Sequence, residues 1–171
     1  SLLQALNVQL DKLRVFPAMS TEGIDIPSTQ HALWCWLRGD DRGELLHRTD
    51  ALIAALTPAL KVVQITESFR HKSGHDLTGY EDGTENPVGQ AAVDAAIDTE
   101  GLGGSYAAIQ HWVHDLKGFK ALPQEEQDHI FGRRLSDNEE IDEAPESAHV
   151  KRTAMEDFEP AAFVVRRSMP Y

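Results

Sequence analysis

Asp82, His149 and Arg166 are the side chains of this sequence best suited to chemistry. Asp82 lies in Gly79-Tyr80-Glu81-Asp82-Gly83-Thr84-Glu85-Asn86-Pro87. Gly79 and Gly83 permit backbone angles that a Cβ resists and let a flat ligand approach the main chain. Pro87 fixes its own φ and drives Asn86 toward extended geometry. Such a loop can aim one carboxylate, and a carboxylate can shuttle a proton. An acidic surface turn would use the same residue types. His149 follows an acid-rich segment and opens an expected strand, with Lys151 and Arg152 close behind; a neutral imidazole at such a loop–strand junction suits a metal, haem iron included. In isolation an exposed imidazole at a strand start is the commoner case. Arg166 and Arg167 end the apolar run Ala161 to Arg167. Neighbours on a strand face opposite sides, so one guanidinium must point inward or to a ligand, where a salt bridge is the plainer use.

The remaining histidines carry less. His71 and His75 have the spacing of two zinc ligands on a helix face, but Lys72-Ser73-Gly74 between them argues against a helix and no third ligand follows. His111 and His114 flank Trp112 at a spacing that puts them on opposite faces of a strand. No nucleophile elbow and no phosphate-cradling glycine loop is present.

The elements that must position these groups are read from periodicity and punctuation. Leu2, Leu3, Leu6, Leu10 and Leu13 have helical spacing over residues 1–14. Phe16 to Pro27 reads as a loop. His31 to Leu37, HALWCWL, reads as a buried strand, with Cys35 a buried, reduced thiol. Asp40 or Asp41 caps a helix that runs to about Leu56 and is stopped by Pro58. Leu60 to Phe69 has the β-branched content of a strand. A short helix is expected over Ala91 to Ile97, a break at Gly101 to Gly104 and a strand over Ser105 to His114. Pro123 starts a helix that Gly132 ends. Ser136 to Ser147 reads as a solvated acidic loop, His149 to Thr153 as the entry to a last strand at Ala161 to Arg167. The expected class is α+β, with antiparallel sheets each covered on one side by helices, in two subdomains: residues 1–88, ending in the Asp82 loop, and 89–171.

The 171 residues, 41% hydrophobic, suffice for one core or two small subdomains sharing one. Lys and Arg number 16 against 28 Asp and Glu, a net charge of −12. That charge repels phosphate backbones and anionic lipid, so nucleic acid and membranes are not expected partners. No apolar run approaches the roughly 20 residues of a membrane-spanning helix, and the beginning lacks a basic, then apolar, leader. A soluble, cytoplasmic protein is expected.

The stretch GYEDGTENP resembles the Gly-x-x-Asp-Gly-Thr-x-Asn-Pro signature of the dye-decolourising, or DyP-type, haem peroxidases, most closely the bacterial cytoplasmic branch. Gly103-Gly104-Ser105-Tyr106 and the following QHWVHDL, Phe131-Gly132-Arg133, Ser147-Ala148-His149-Val150 and Val165-Arg166-Arg167-Ser168-Met169-Pro170-Tyr171 resemble further segments of the family in the same order. The resemblance covers roughly residues 14–171. It implies a pair of ferredoxin-like subdomains around haem b, here incomplete, since the chain resembles a family member truncated at both ends. It implies His149 as the axial iron ligand, Asp82 and Arg166 as the catalytic pair, Ser168 beside them, and Gly83, Thr84 and Arg133 at the cofactor, with Arg133 toward a propionate. Gln110-His111-Trp112 departs from the family's Gln-Arg-Trp and leaves that arginine's contact in doubt.

The activity so implied is reduction of hydrogen peroxide with one-electron oxidation of a small organic reductant: dyes, phenols or porphyrinogens. Trp112, Tyr106 or Tyr80 could relay electrons, although each fits plain packing. The family also implies a homo-oligomer, dimer or larger, and in some members an encapsulating protein shell addressed by a C-terminal peptide that would lie beyond this chain. Haem binding or haem-iron release with little turnover, and a non-catalytic assembly fragment, are the alternatives.

Overall fold

The computed structural model describes residues 15–98, 103–154 and 168–171. The expected helix at 1–14, the apolar run Ala161 to Arg167 and with it Arg166 lie outside the described residues. The chain divides into two compact units, Ser1–Ile65 and Thr66–Tyr171. The division falls ahead of the expected boundary after residue 88, so the whole Gly79–Pro87 loop belongs to the second unit. Among the described residues, no helix is long and apolar enough to cross a membrane.

In the first unit, the segment expected as a loop is an antiparallel hairpin of β1 (Met19–Thr21) and β2 (Ile24–Ile26). Met19, Thr21, Ile24 and Ile26 alternate about the Glu22-Gly23 turn, where Gly23 takes φ +78°. Ser20, paired with Asp25, donates its hydroxyl to that carboxylate at 2.6 Å. Helix α1 (Arg42–Leu56) forms where expected: the Asp41 carboxylate accepts from the Glu44 N–H at 2.7 Å. Its end comes at Thr57, whose N–H still reaches the Ile53 carbonyl, and Pro58 cannot continue the ladder.

The expected strand at 31–37 is not formed. Trp34 and Trp36 are 51% and 44% exposed, stacked at 6.0 Å, with the Arg38 guanidinium 5.0 Å over the Trp36 ring. Cys35 is exposed rather than buried. The strands expected over Leu60 to Phe69 and Ser105 to His114 are likewise absent as ladders. The reason is common to all three. β-propensity expresses fit to a neighbouring strand, and without a paired neighbour the apolar side chains stay in solvent. Val63 and Val113 are examples, exposed by 62% and 89%.

The second unit is built on short helices: α2 (Gln90–Ala96), α3 (Leu116–Ala121), α4 (Gln124–Phe131) and α5 (His149–Arg152). Among the described residues its buried apolar side chains include Tyr80, Ala144 and Ala148, with Pro170. Helix α3, which sequence reading missed, is capped by the Asp115 carboxylate accepting from the Gly118 N–H at 2.8 Å. Gly132 ends α4 at φ +81°, and a Cβ there would collide with Val150 and crowd Ala148 at 3.2 Å. The acidic segment 136–147 is more than a solvated loop, because Ala144 is buried and Glu140 is ion-paired with Arg133. His149 opens the one-turn helix α5 where a strand was expected. The Thr153 N–H and hydroxyl both bond the His149 carbonyl, at 3.0 and 2.8 Å, and close that turn.

Candidate active site

Asp82 is held through its backbone before its side chain does anything. The chain doubles back at His71, whose carbonyl accepts from the Gly74 and His75 N–H groups at 3.1 and 2.9 Å. The Asp82 N–H then donates to the Gly74 carbonyl at 3.0 Å, and the Asp76 N–H to the Tyr80 carbonyl at 3.0 Å. Gly79 and Gly83 adopt φ +101° and +77°, the left-handed angles for which glycine is the natural choice. The Asn86 N–H closes the far side on the Gly83 carbonyl at 3.1 Å.

The half-buried Asp82 carboxylate accepts from the Ser168 hydroxyl at 2.9 Å. This bond joins the loop to residues 168–171, and ahead of the loop the Phe69 N–H donates to the Pro170 carbonyl at 2.9 Å. Thr84 is exposed. The His111 ring packs 4.4 Å from Tyr171, whose hydroxyl donates to the Trp112 carbonyl at 3.2 Å.

Arg133 is mostly covered, its side chain 12% exposed. One nitrogen meets Glu85 at 3.0 Å and Glu140 at 2.5 Å, and another donates to the Asn138 carbonyl at 3.0 Å. His149 is exposed, its ring 6.1 Å from that of Phe131. Phe131 stacks on Tyr80 at 3.9 Å and 8°, and Phe119 meets both rings edge-on. The aromatic cluster therefore links the ring of His149 to the residue two before Asp82. An open polar cleft of about 230 Å³ runs along His75, Tyr80, Glu81, Arg134 and Asn138, and its lining takes in none of Asp82, His149 or Ser168.

Sequence reading missed the anchor of this arrangement. The Tyr80 hydroxyl donates a short hydrogen bond to Asp128, which also accepts from the Gln124 amide at 2.7 Å and the Leu135 N–H at 3.1 Å. Burial, and then the bond to Asp128 and its charge, push the Tyr80 phenol above its ordinary 10.0. Burial pushes the Asp128 carboxyl upward, but the bonds from Tyr80, Gln124 and Leu135 outweigh it and hold the group below 3.8. The Tyr80–Asp128 bond contributes to both shifts and is one interaction.

The signs define a pH window. A depressed carboxyl contributes stability above its unfolded value of 3.8 and loses it as pH falls through the folded one. A raised phenol contributes below 10.0 and loses it as pH rises through the folded value. Tyr80→Phe is therefore expected to cost about 2 kcal/mol between those limits, the worth of a hydrogen bond to a charged group. The gap from the parent protein should close toward acid. Urea unfolding across pH measures it, and a pH-independent gap would remove Asp128 as the titrating partner.

Residues 73–171 match the family model described as Dyp-type peroxidase, C-terminal. A dye-decolorizing peroxidase of Mycolicibacterium paratuberculosis is 30% identical over 152 residues, 85% of this chain and 43% of that protein. The encapsulated DyP-type peroxidase of Mycobacterium smegmatis is similar in structure with a TM-score of 0.72 at 27% identity, over 84% of this chain and 48% of that one. A DypB variant of Rhodococcus jostii RHA1 in complex with heme gives a TM-score of 0.71 at 29% identity, over 86% of this chain and 50% of that one. The chain thus spans half or less of the length of each of these proteins, and shares their α+β fold over the aligned part.

Proposed function

The chain belongs to the Dyp-type peroxidase family, and from that premise we propose that it forms the peroxide-handling part of a haem peroxidase. The reaction is reduction of hydrogen peroxide to two waters, with one electron and one proton drawn from each of two organic reductant molecules such as dyes, phenols or porphyrinogens. The observation that carries this reading is the Asp82–Ser168 hydrogen bond at 2.9 Å across 86 positions, which brings the signature loop and the Ser168-Met169-Pro170 segment to one place.

The residues present fit a haem on its ligand side. His149 offers an exposed imidazole beside the Phe131 ring, a nitrogen donor next to an aromatic surface. His149 would hold the iron of a haem b, and Gly83 and Thr84 would contact the group. Haem, when bound, supplies the electrons that cleave the O–O bond and recovers them singly from the reductant.

The protein's own residues manage the proton and the charge. Ser168 donates to one Asp82 oxygen, and the other has no hydrogen-bond donor among the described residues. That second oxygen takes the proton from the near oxygen of peroxide and returns it to the far oxygen, which leaves as water. Arg166, two positions before Ser168 in the sequence, would stabilise the negative charge that grows on peroxide, and a guanidinium keeps its own proton throughout.

The reading extends to a cytoplasmic homo-oligomer, dimer or larger, and to packaging in a protein shell; the encapsulated relative from Mycobacterium smegmatis supports the latter. Steady-state bleaching of an anthraquinone dye by the haem-loaded protein tests the activity. Turnover that requires both peroxide and haem is expected. Haem uptake without turnover would replace the reading with haem storage or iron release.

A further inference from the structure

Tyr80 and Glu85 stand on either side of Asp82, and one short piece of chain holds both. Asp128, in the last turn of α4, accepts the Tyr80 hydroxyl. Arg133, just past the end of α4, holds Glu85 at 3.0 Å. Arg133 is itself fixed by Glu140 at 2.5 Å and by the Asn138 carbonyl at 3.0 Å. The piece between them bears on His149 instead. Gly132 lies against Ala148 and Val150, the residues before and after His149, and Phe131 is 6.1 Å from its ring. Residues 128–133 therefore grip the Asp82 loop and the His149 turn through separate contacts.

We propose that Asp128 and Arg133 are positioning residues that set where Asp82 stands with respect to His149, Asp128 acting through Tyr80 and Arg133 through Glu85. The proposal rests on the peroxidase reading for what Asp82 does, but the clamp is a property of the chain without haem. A carboxylate that shuttles a proton between two oxygens is sensitive to misplacement by about 1 Å, so both anchors bear on rate while leaving the iron ligand alone. Arg133 is thereby assigned a role at the loop, through Glu85.

Two variants of the full chain test this. Asp128→Asn weakens the first anchor, and Glu85→Gln releases the second from a side chain 75% exposed, with no change in the core. Without haem, amide hydrogen exchange at Asp82 and Asn86 is expected to quicken about tenfold in each variant, as local opening becomes easier. Exchange at Arg152 and Thr153, whose N–H groups bond the Ala148 and His149 carbonyls at 3.1 and 3.0 Å, should stay as in the parent. With haem, kcat for peroxide is expected to fall about tenfold at unchanged KM and unchanged iron–histidine vibration.

Exchange at Asp82 and Asn86 unaltered in both variants overturns the proposal, and so does a kcat equal to the parent's. Should Asp128→Asn fail to fold, Glu85→Gln decides. A parent protein that holds haem but turns over no peroxide defeats the peroxidase reading, while the exchange data still support or overturn the clamp.

Discussion

His149→Ala protein is expected to lose haem affinity by more than the roughly ten- to hundredfold that removal of an outer-shell partner costs a metal site, because the proposed ligand itself is removed. The loss should be specific. His149 is exposed, and its ring meets only the Phe131 ring among the described aromatic neighbours, at 6.1 Å. The packing around it belongs to Ala148, fully buried, and to Val150 and Gly132. Truncation at 149 therefore leaves the fold of the second unit in place, and added imidazole should restore a nitrogen-ligated spectrum. Haem titration followed in the Soret band is the measurement. An unchanged affinity together with an unaltered spectrum would take the ligand role away from His149.

Arg166→Ala is expected to keep haem and lose about 3 kcal/mol of transition-state stabilisation, close to a hundredfold in the rate of reaction with peroxide. The guanidinium is the one side-chain cation that cannot give up its proton during the reaction. Its neighbour Ser168 is bonded to the Asp82 carboxylate at 2.9 Å, which ties this part of the chain to the proposed proton shuttle. Stopped-flow mixing with peroxide measures the rate. A rate equal to that of the parent, at equal haem content, would remove Arg166 from the reaction.

Helix boundaries were the most legible part of the fold. Asp41 and Pro58 bracket α1, and Pro123 and Gly132 bracket α4, because a cap or a φ restriction acts on its own residue and needs no distant partner. Strands were not legible in the same way. HALWCWL, LKVVQITESF and SYAAIQHWVH have the apolar and β-branched content of strands, but pairing is a relation between segments. The hairpin at Met19–Ile26 did form, since its partner is two residues away. Asp115 was an overlooked cap for α3, and the β-branched Val150 hid the helical turn that carries His149.

The candidate site divides along similar lines. The residue types and the left-handed glycines of the Asp82 loop could be read directly, since both are local. The partnership of Asp82 with Ser168 came only through family resemblance, and the Tyr80–Asp128 anchor had no signal at all, its partners lying 48 positions apart. Arg133 was expected at a cofactor, yet its described partners are Glu85, Glu140 and the Asn138 carbonyl. Of those, Glu140 lies in the acidic stretch read as solvated, and its carboxylate is 57% exposed while paired with Arg133.

The proposed role of His149 as iron ligand is tested most directly by resonance Raman spectroscopy of the reduced, haem-loaded protein. An iron–nitrogen stretching band that shifts on isotopic labelling of histidine nitrogen and vanishes in His149→Ala is the predicted result. A band indifferent to the label, or one that persists unchanged in His149→Ala, would contradict the account.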